Sequence, residues 1–345
     1  MSASSTSHKS DKAAADNGAA SLMRGSVSPV SLSLADPSDF FALMKPRVMS
    51  LVVFTAWVGL VCAPGALSGQ VGWFAGAIII LCIAAGAGAA GALNMWYDAD
   101  IDARMTRTRG RPLPQGKMSR ETALTFGIAI SAFSVWGLYW VANIVAALLL
   151  AFTIFFYLVI YSMWLKRRTP QNIVIGGAAG AFPPMVGWVA VTGDIHINAV
   201  LLFMIIFIWT PPHFWALALY KRGDYEKVGI PMMPNVRGAR STRNQILAYS
   251  LVLALTTLAP VYTGLGGTIY MAAAVLLNAV FLYLAIRVWR SKAGDEAPKN
   301  NPEGLYDVRQ GNKVARDLFA YSIIYLFAIF AVLAIEAILK IWTGS

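Results

Sequence analysis

Residues 70–114 read QVGWFAGAIIILCIAAGAGAAGALNMWYDADIDARMTRTRGRPLP. The part from 70 to 96 carries no charge and exceeds the ~20 apolar residues that a helix needs to cross a bilayer. Acids arrive only where that run ends. Asn94, Asp98 and Asp102 are spaced four apart, and at 3.6 residues per turn they fall on one stripe of a helix, drifting about 40° per step. A carboxylate costs roughly 2.5–3.5 kcal/mol at the centre of a membrane helix, so acids set against an apolar run face a cavity, a partner or a metal ion. The opposite sign follows at once in Arg104, Arg107, Arg109, Arg111 and Lys117. Mg2+ takes one or two carboxylates plus phosphate oxygens, and the guanidinium fork matches phosphate geometry. The stretch therefore has the chemistry of a metal-bridged diphosphate site at the mouth of a membrane helix.

Working outward, the chain of 345 residues is 57% hydrophobic and only 13% charged, with a mean hydropathy of +0.60. A soluble domain of this length would carry about twice that charged fraction, so the composition excludes one and points to a polytopic, all-helical membrane bundle with the lipid bilayer as solvent. The net charge of +11 raises the question of a nucleic-acid partner. The basic residues sit in short loops between apolar runs, which membrane topology explains, and no nucleic acid is expected. Cys62 and Cys82 both lie in apolar runs without a CxxC or Cys/His cluster, so neither a disulfide framework nor a zinc site is implied.

Residues 1–38, rich in Ser, Ala and Gly, cannot bury a core and read as a disordered cytoplasmic tail ahead of a transmembrane domain at 39–345. They lack the apolar core of a signal peptide, and their aspartates argue against an acid-poor transit peptide, which favours a bacterial plasma membrane over an organelle. Nine apolar runs long enough to span follow, near 48–65, 70–96, 121–141, 144–165, 173–192, 198–219, 244–263, 268–288 and 317–341. With nine spans, all of the 28 Lys and Arg except Lys340 fall on the side of the N-terminus. That asymmetry supports both the number of spans and a cytoplasmic N-terminus.

Two small-residue clusters, AAGAGAAGA at 84–92 and GGAAGA at 176–181, mark helices expected to pack closely inside the bundle, or to leave room for a bulky substrate. The sixth run ends WTPPHFWALALYKRGDYEKVGIPMMPNVRG at 209–238 and again delivers charge, here Lys221, Arg222, Asp224 and Glu226, to the basic face. Pro211 and Pro212 are expected to kink or break that helix beside His213. His213 reads equally as a packing residue or as a contact to substrate or haem.

The motifs NMWYDADID with RTRGRPLPQGKM, LMKPRV at 43–48, LKRRTPQNIVIGGAAGAFPPMVGW at 165–188 and TPPHFWALALYKRGDYEKVGIPMMP at 210–234 together resemble the haem-farnesylating branch of the UbiA-type membrane prenyltransferases. The resemblance covers roughly residues 40–340. It implies an enzyme that transfers the farnesyl group of farnesyl diphosphate to a vinyl group of haem B, with water adding and diphosphate leaving. It implies Mg2+ held by Asn94, Asp98 and Asp102, diphosphate donors among Arg107, Arg109, Arg111 and Lys117, and a second motif at Lys221 and Asp224. Position 228 is valine where other branches carry an acid, which leaves a full second metal site in doubt. Haem contacts are expected from His213, Trp215, Lys45 and Arg47, with Lys166, Arg167 and Arg168 as further bases for the propionates, and handover from contact with a haem A synthase or terminal oxidase assembly. A quinone or aromatic acceptor is the near alternative. A transporter or haem carrier is the distant one, and it would place charge near the midplane rather than at one face.

Overall fold

The structure, a computed structural model, describes residues 35–66, 71–221, 225–226, 228–295 and 310–343. Of the expected tail, residues 1–34 lie outside the described residues, and the first described helix is α1, Pro37–Leu43. The remaining helices are α2 Pro46–Val61, α3 Trp73–Tyr97, α4 Ala99–Arg104, α5 Arg120–Val141, α6 Ile144–Phe155, α7 Asn172–Thr192, α8 Ile197–Tyr220, α9 Met233–Val236, α10 Ala239–Tyr262, α11 Thr268–Arg290 and α12 Lys313–Thr343. Among the described residues there is no strand. Helices satisfy every backbone group internally, which a chain this apolar requires in lipid. Seven of them are each long and apolar enough to cross a membrane, α6 makes an eighth span with the residues that continue it to Leu165, and α1 and α2, bent by 57° at their junction, form a ninth when taken together.

The spans close on themselves. α3 packs between α2 and α5, α6 lies beside α5 and α7, α8 follows α7, and α10 and α11 lead to α12, which returns to both α8 and α2. The closest pair is α2 with α7. A Cβ on Gly59 would lie 2.0 Å from the Pro184 carbonyl oxygen, and one on Gly187 would lie 2.2 Å from that of Ala56, so these glycines are what lets the two backbones touch.

Two departures from the expected helices bear on the site. α8 runs unbroken from Ile197 to Tyr220 through Pro211 and Pro212, against the expected break. A lipid environment offers no water to receive unwound backbone, so a packed helix keeps its course although each proline lacks an N–H donor. The fourth span, by contrast, changes pitch: beyond Phe155 it continues as a π-helix over Phe156–Leu165. Its i→i+5 bonding is seen where the Lys166 N–H donates to the Tyr161 carbonyl at 2.9 Å.

The 84–92 cluster serves packing of a particular kind. A Cβ on Gly88 would meet the Met44 side chain at 2.5 Å, and one on Gly91 would touch Lys45 at 3.5 Å. The small face of α3 thus admits the α1–α2 junction, where Pro46 starts α2 and Lys45 adopts a left-handed backbone (φ 54, ψ 56). Lys45 is the one non-glycine residue with positive φ among the described residues.

Candidate active site

The acid–amide stripe forms as the spacing requires, although not on one uninterrupted helix. α3 ends at Tyr97, Asp98 leaves helical backbone (φ −88, ψ 9), and α4 resumes at Ala99. The i→i+4 bonds continue across the break, from Asp98 N–H to the Asn94 carbonyl at 2.9 Å and from Asp102 N–H to the Asp98 carbonyl at 2.8 Å. Asn94, Asp98 and Asp102 therefore stay aligned, and all three are buried.

Burying two carboxylates costs several kcal/mol each unless they are paired, and each has its cation. Arg111 Nη1 lies 2.5 Å from Asp102 Oδ2. Lys166 Nζ donates to Asp98 Oδ2, and Arg167 approaches Asp98 Oδ1 at 3.7 Å. Lys45 Nζ donates to Asn94 Oδ1 at 2.7 Å. The Asn94 amide donates to Asp98 Oδ2 at 2.7 Å and to Ser162 Oγ at 2.9 Å. Asp98 Oδ1 is buried with no hydrogen-bond partner among the described residues.

The π-helix makes this assembly possible. By adding a residue to the turn it re-aims the side chains at its end, so that fully buried Ser162 reaches Asn94 while Lys166 reaches Asp98. It also stacks Tyr157 on Tyr161 with centroids 5.4 Å apart, with Lys45 Nζ 5.9 Å from the Tyr157 ring. Tyr161 in turn lies on α7, where a Cβ on Gly176 would come within 2.1 Å of its ring.

At the rim, Arg167 holds Asp100 with both guanidinium nitrogens, at 3.0 and 2.8 Å, and lies 5.0 Å from the Tyr97 ring. Burial alone would raise the Asp100 pKa, but the hydrogen bond and charge of Arg167 outweigh it and hold the carboxyl below its usual value. The same hydrogen bond raises the pKa of Arg167. Asn172, whose amide donates to the Thr169 carbonyl at 2.7 Å and the Pro231 carbonyl at 3.3 Å, ties this corner to the segment before α9.

Of the expected diphosphate donors the structure brings in Arg111 alone. Arg107 and Arg109 are exposed. Lys117, about half exposed, lies 3.8 Å from Asp39 and away from the stripe. Lys45, expected at haem, is instead at Asn94, and Arg47 is exposed at the start of α2. Trp215, expected at haem, is fully buried with its ring edge-on to Tyr249, and its indole nitrogen has no hydrogen-bond partner among the described residues. Lys221 caps the C-terminus of α8, and Asp224 lies outside the described residues.

His213 is buried between Trp209 and Phe319, with centroids 4.2 and 4.7 Å away. Its Nδ1 is 2.6 Å from Ser322 Oγ, whose proton goes to the Phe319 carbonyl at 2.6 Å. Nδ1 must then carry the proton, which leaves Nε2 as the basic nitrogen. Lys166 and Arg167, expected at the haem propionates, stand at the acid stripe, together with Ser162, which reading the sequence did not single out. The π-helix that presents them has no hydrophobic period of its own.

An apolar helix end that gathers hard oxygen donors and surrounds them with ammonium and guanidinium groups has the chemistry to receive a phosphorylated ligand. Solved structures share this fold. A digeranylgeranylglyceryl phosphate synthase aligns with TM-score 0.67 over 86% of this chain and 98% of its own, at 15% identity. A UbiA homologue from Archaeoglobus fulgidus bound to GPP and Mg2+ aligns with TM-score 0.59 over 86% and 99%, also at 15% identity. The family model of the UbiA prenyltransferase family matches residues 52–301. Curated relatives named protoheme IX farnesyltransferase are 60% identical in Maricaulis maris, over 88% of this chain and 91% of theirs, and 57% identical in Parvibaculum lavamentivorans, over 87% and 89%. The chain belongs to the UbiA prenyltransferase family, in its protohaem IX farnesyltransferase group.

Proposed function

We propose that this chain transfers the farnesyl group of farnesyl diphosphate to a vinyl group of haem B, with addition of water, giving haem O and diphosphate. The observation that carries the reading is the buried Asn94–Asp98–Asp102 stripe ringed by Lys45, Lys166 and Arg111, in a chain whose relatives bear the name protoheme IX farnesyltransferase. The transport alternative is disfavoured because both buried acids sit at a helix end and each is held by a cation, rather than lying unpaired at midspan.

The donor set fits Mg2+. No group of three or more His, Cys, Asp or Glu that could hold a metal occurs among the described residues, which argues against a self-sufficient cage. Mg2+ instead takes one or two carboxylates and completes its shell with substrate phosphate oxygens. Asp98 Oδ1, which has no hydrogen-bond partner among the described residues, is such a donor. Asp98 and Asp102, with Asn94 assisting, would hold Mg2+, which when bound would supply Lewis-acid charge to the leaving diphosphate. Lys166 and Arg111 would turn from the carboxylates, and Lys45 from the Asn94 amide oxygen, to phosphate oxygens as negative charge builds there. Apolar α3 and α7 keep water from the allylic carbon, and Tyr157 and Tyr161 offer π faces to its cationic character.

For haem, His213 offers Nε2, and Arg47 offers a cation to a propionate on the basic side of the bilayer. Lys221 with Asp224 serves the second motif. The positive-inside asymmetry sets this face toward the cytoplasm of a bacterial plasma membrane. The test is purified protein with haem B, farnesyl diphosphate and Mg2+, followed by mass analysis of the pigment. A farnesyl-bearing product that disappears with EDTA is expected. Its absence with folded protein would overturn the reading.

A further inference from the structure

We infer that Ser162 is a positioning residue for the diphosphate site: it locks the orientation of the Asn94 amide so that Oδ1 faces the ligand. The inference rests on the reaction proposed above. Ser162 is fully buried in the π-helix, and its hydroxyl proton is committed to the Tyr157 carbonyl at 2.8 Å. Toward Asn94 it can therefore only accept, and what it accepts, at 2.9 Å, is an amide N–H. That contact fixes which end of the amide is nitrogen, and the oxygen then points at Lys45.

Two other groups favour the same orientation. Lys45 donates to Oδ1, and Asp98 Oδ2 accepts from Nδ2. Both are charged, and both are groups for which a magnesium diphosphate competes: the ammonium is drawn by phosphate, the carboxylate by the cation. Once they turn to the ligand, nothing in those two contacts keeps the Asn94 oxygen forward. Ser162 is neutral, buried and bound to backbone, so of the three partners it is the one that the ligand's charges leave in place. Its effect should accordingly be small in the free protein and appear on binding.

The experiment measures two quantities in purified parent, Ser162→Ala and Ser162→Cys, which keeps the shape of serine with a larger atom that is a poor acceptor. They are the thermal unfolding midpoint without ligand and the Kd for farnesyl S-thiolodiphosphate with Mg2+, an analogue that does not react. Loss of one neutral hydrogen bond should weaken analogue binding roughly 3- to 10-fold in both variants, with the unfolding midpoint nearly unchanged. In an Asn94→Asp background, where both ends of the side chain are oxygen, Ser162→Ala should cause no further weakening. Parent-like affinity in both variants overturns the inference, as does equal weakening in the Asn94→Asp background. A parent protein that does not bind the analogue overturns the proposed reaction, and this inference with it.

Discussion

Replacing Gly176 by alanine puts a methyl group 2.1 Å from one Tyr161 ring carbon and 2.6 Å from the next. Ordinary contact begins near 3.4 Å, so the ring must retreat by about 1.3 Å. It is stacked on Tyr157, and its own carbonyl accepts the Lys166 N–H, so the retreat passes into the π-helix. Overpacking of this kind costs typically 1–3 kcal/mol, and this approach belongs at the upper end. The gain of helix propensity from glycine to alanine, about 1 kcal/mol, offsets part of it. The net loss is about 2 kcal/mol, together with displacement of Ser162 and Lys166 from Asn94 and Asp98. The control is one turn along α7: a Cβ on Gly180 meets nothing within 4 Å, so Gly180→Ala retains only the gain. Thermal unfolding and turnover in the same detergent should show Gly176→Ala less stable and at least tenfold slower, with Gly180→Ala as stable as the parent or more so. Equal behaviour of the two would refute the argument that Gly176 exists to seat Tyr161.

Asp98→Asn and Asp102→Asn should each lower turnover by at least about a hundredfold while the protein still inserts and folds; full activity in either, measured by haem product, would remove it as a ligand. Lys45→Ala and Lys45→Gly both lose the ammonium at Asn94, but only alanine keeps the left-handed strain, so the glycine variant should be the more stable by about 1 kcal/mol in thermal unfolding. Gly187→Ala drives a methyl into the Ala56 carbonyl at 2.2 Å, where neither backbone can yield, and should destabilise by about 3 kcal/mol or fail to fold, as read by size-exclusion and melting. Glu336 accepts from the Gly267 N–H at 2.6 Å at the start of α11, so Glu336→Ala should cost about 1–2 kcal/mol of stability with turnover unchanged.

The spans were legible because a bilayer imposes one length and one composition on each, and Asn94, Asp98 and Asp102 were legible because the helical repeat survives the break at Asp98. Arg111 is separated from Asp102 by a turn-rich loop, where no period exists to single it out from Arg107 and Arg109. Lys166 and Ser162 were hidden because a π-helix rotates its end away from where a 3.6-residue period would put it. The paired prolines of α8 misled for the reason already visible in its length: a helix packed among others has more to lose by unwinding than two hydrogen bonds.

The pairing of each buried acid with its own base has a bearing on how a catalytic cycle would end. Lys166 and Arg111 have resident carboxylates in Asp98 and Asp102, so the departure of an anionic product leaves neither of these two cations stranded in the protein interior. For both of them release becomes an exchange of one counter-ion for another rather than a desolvated loss.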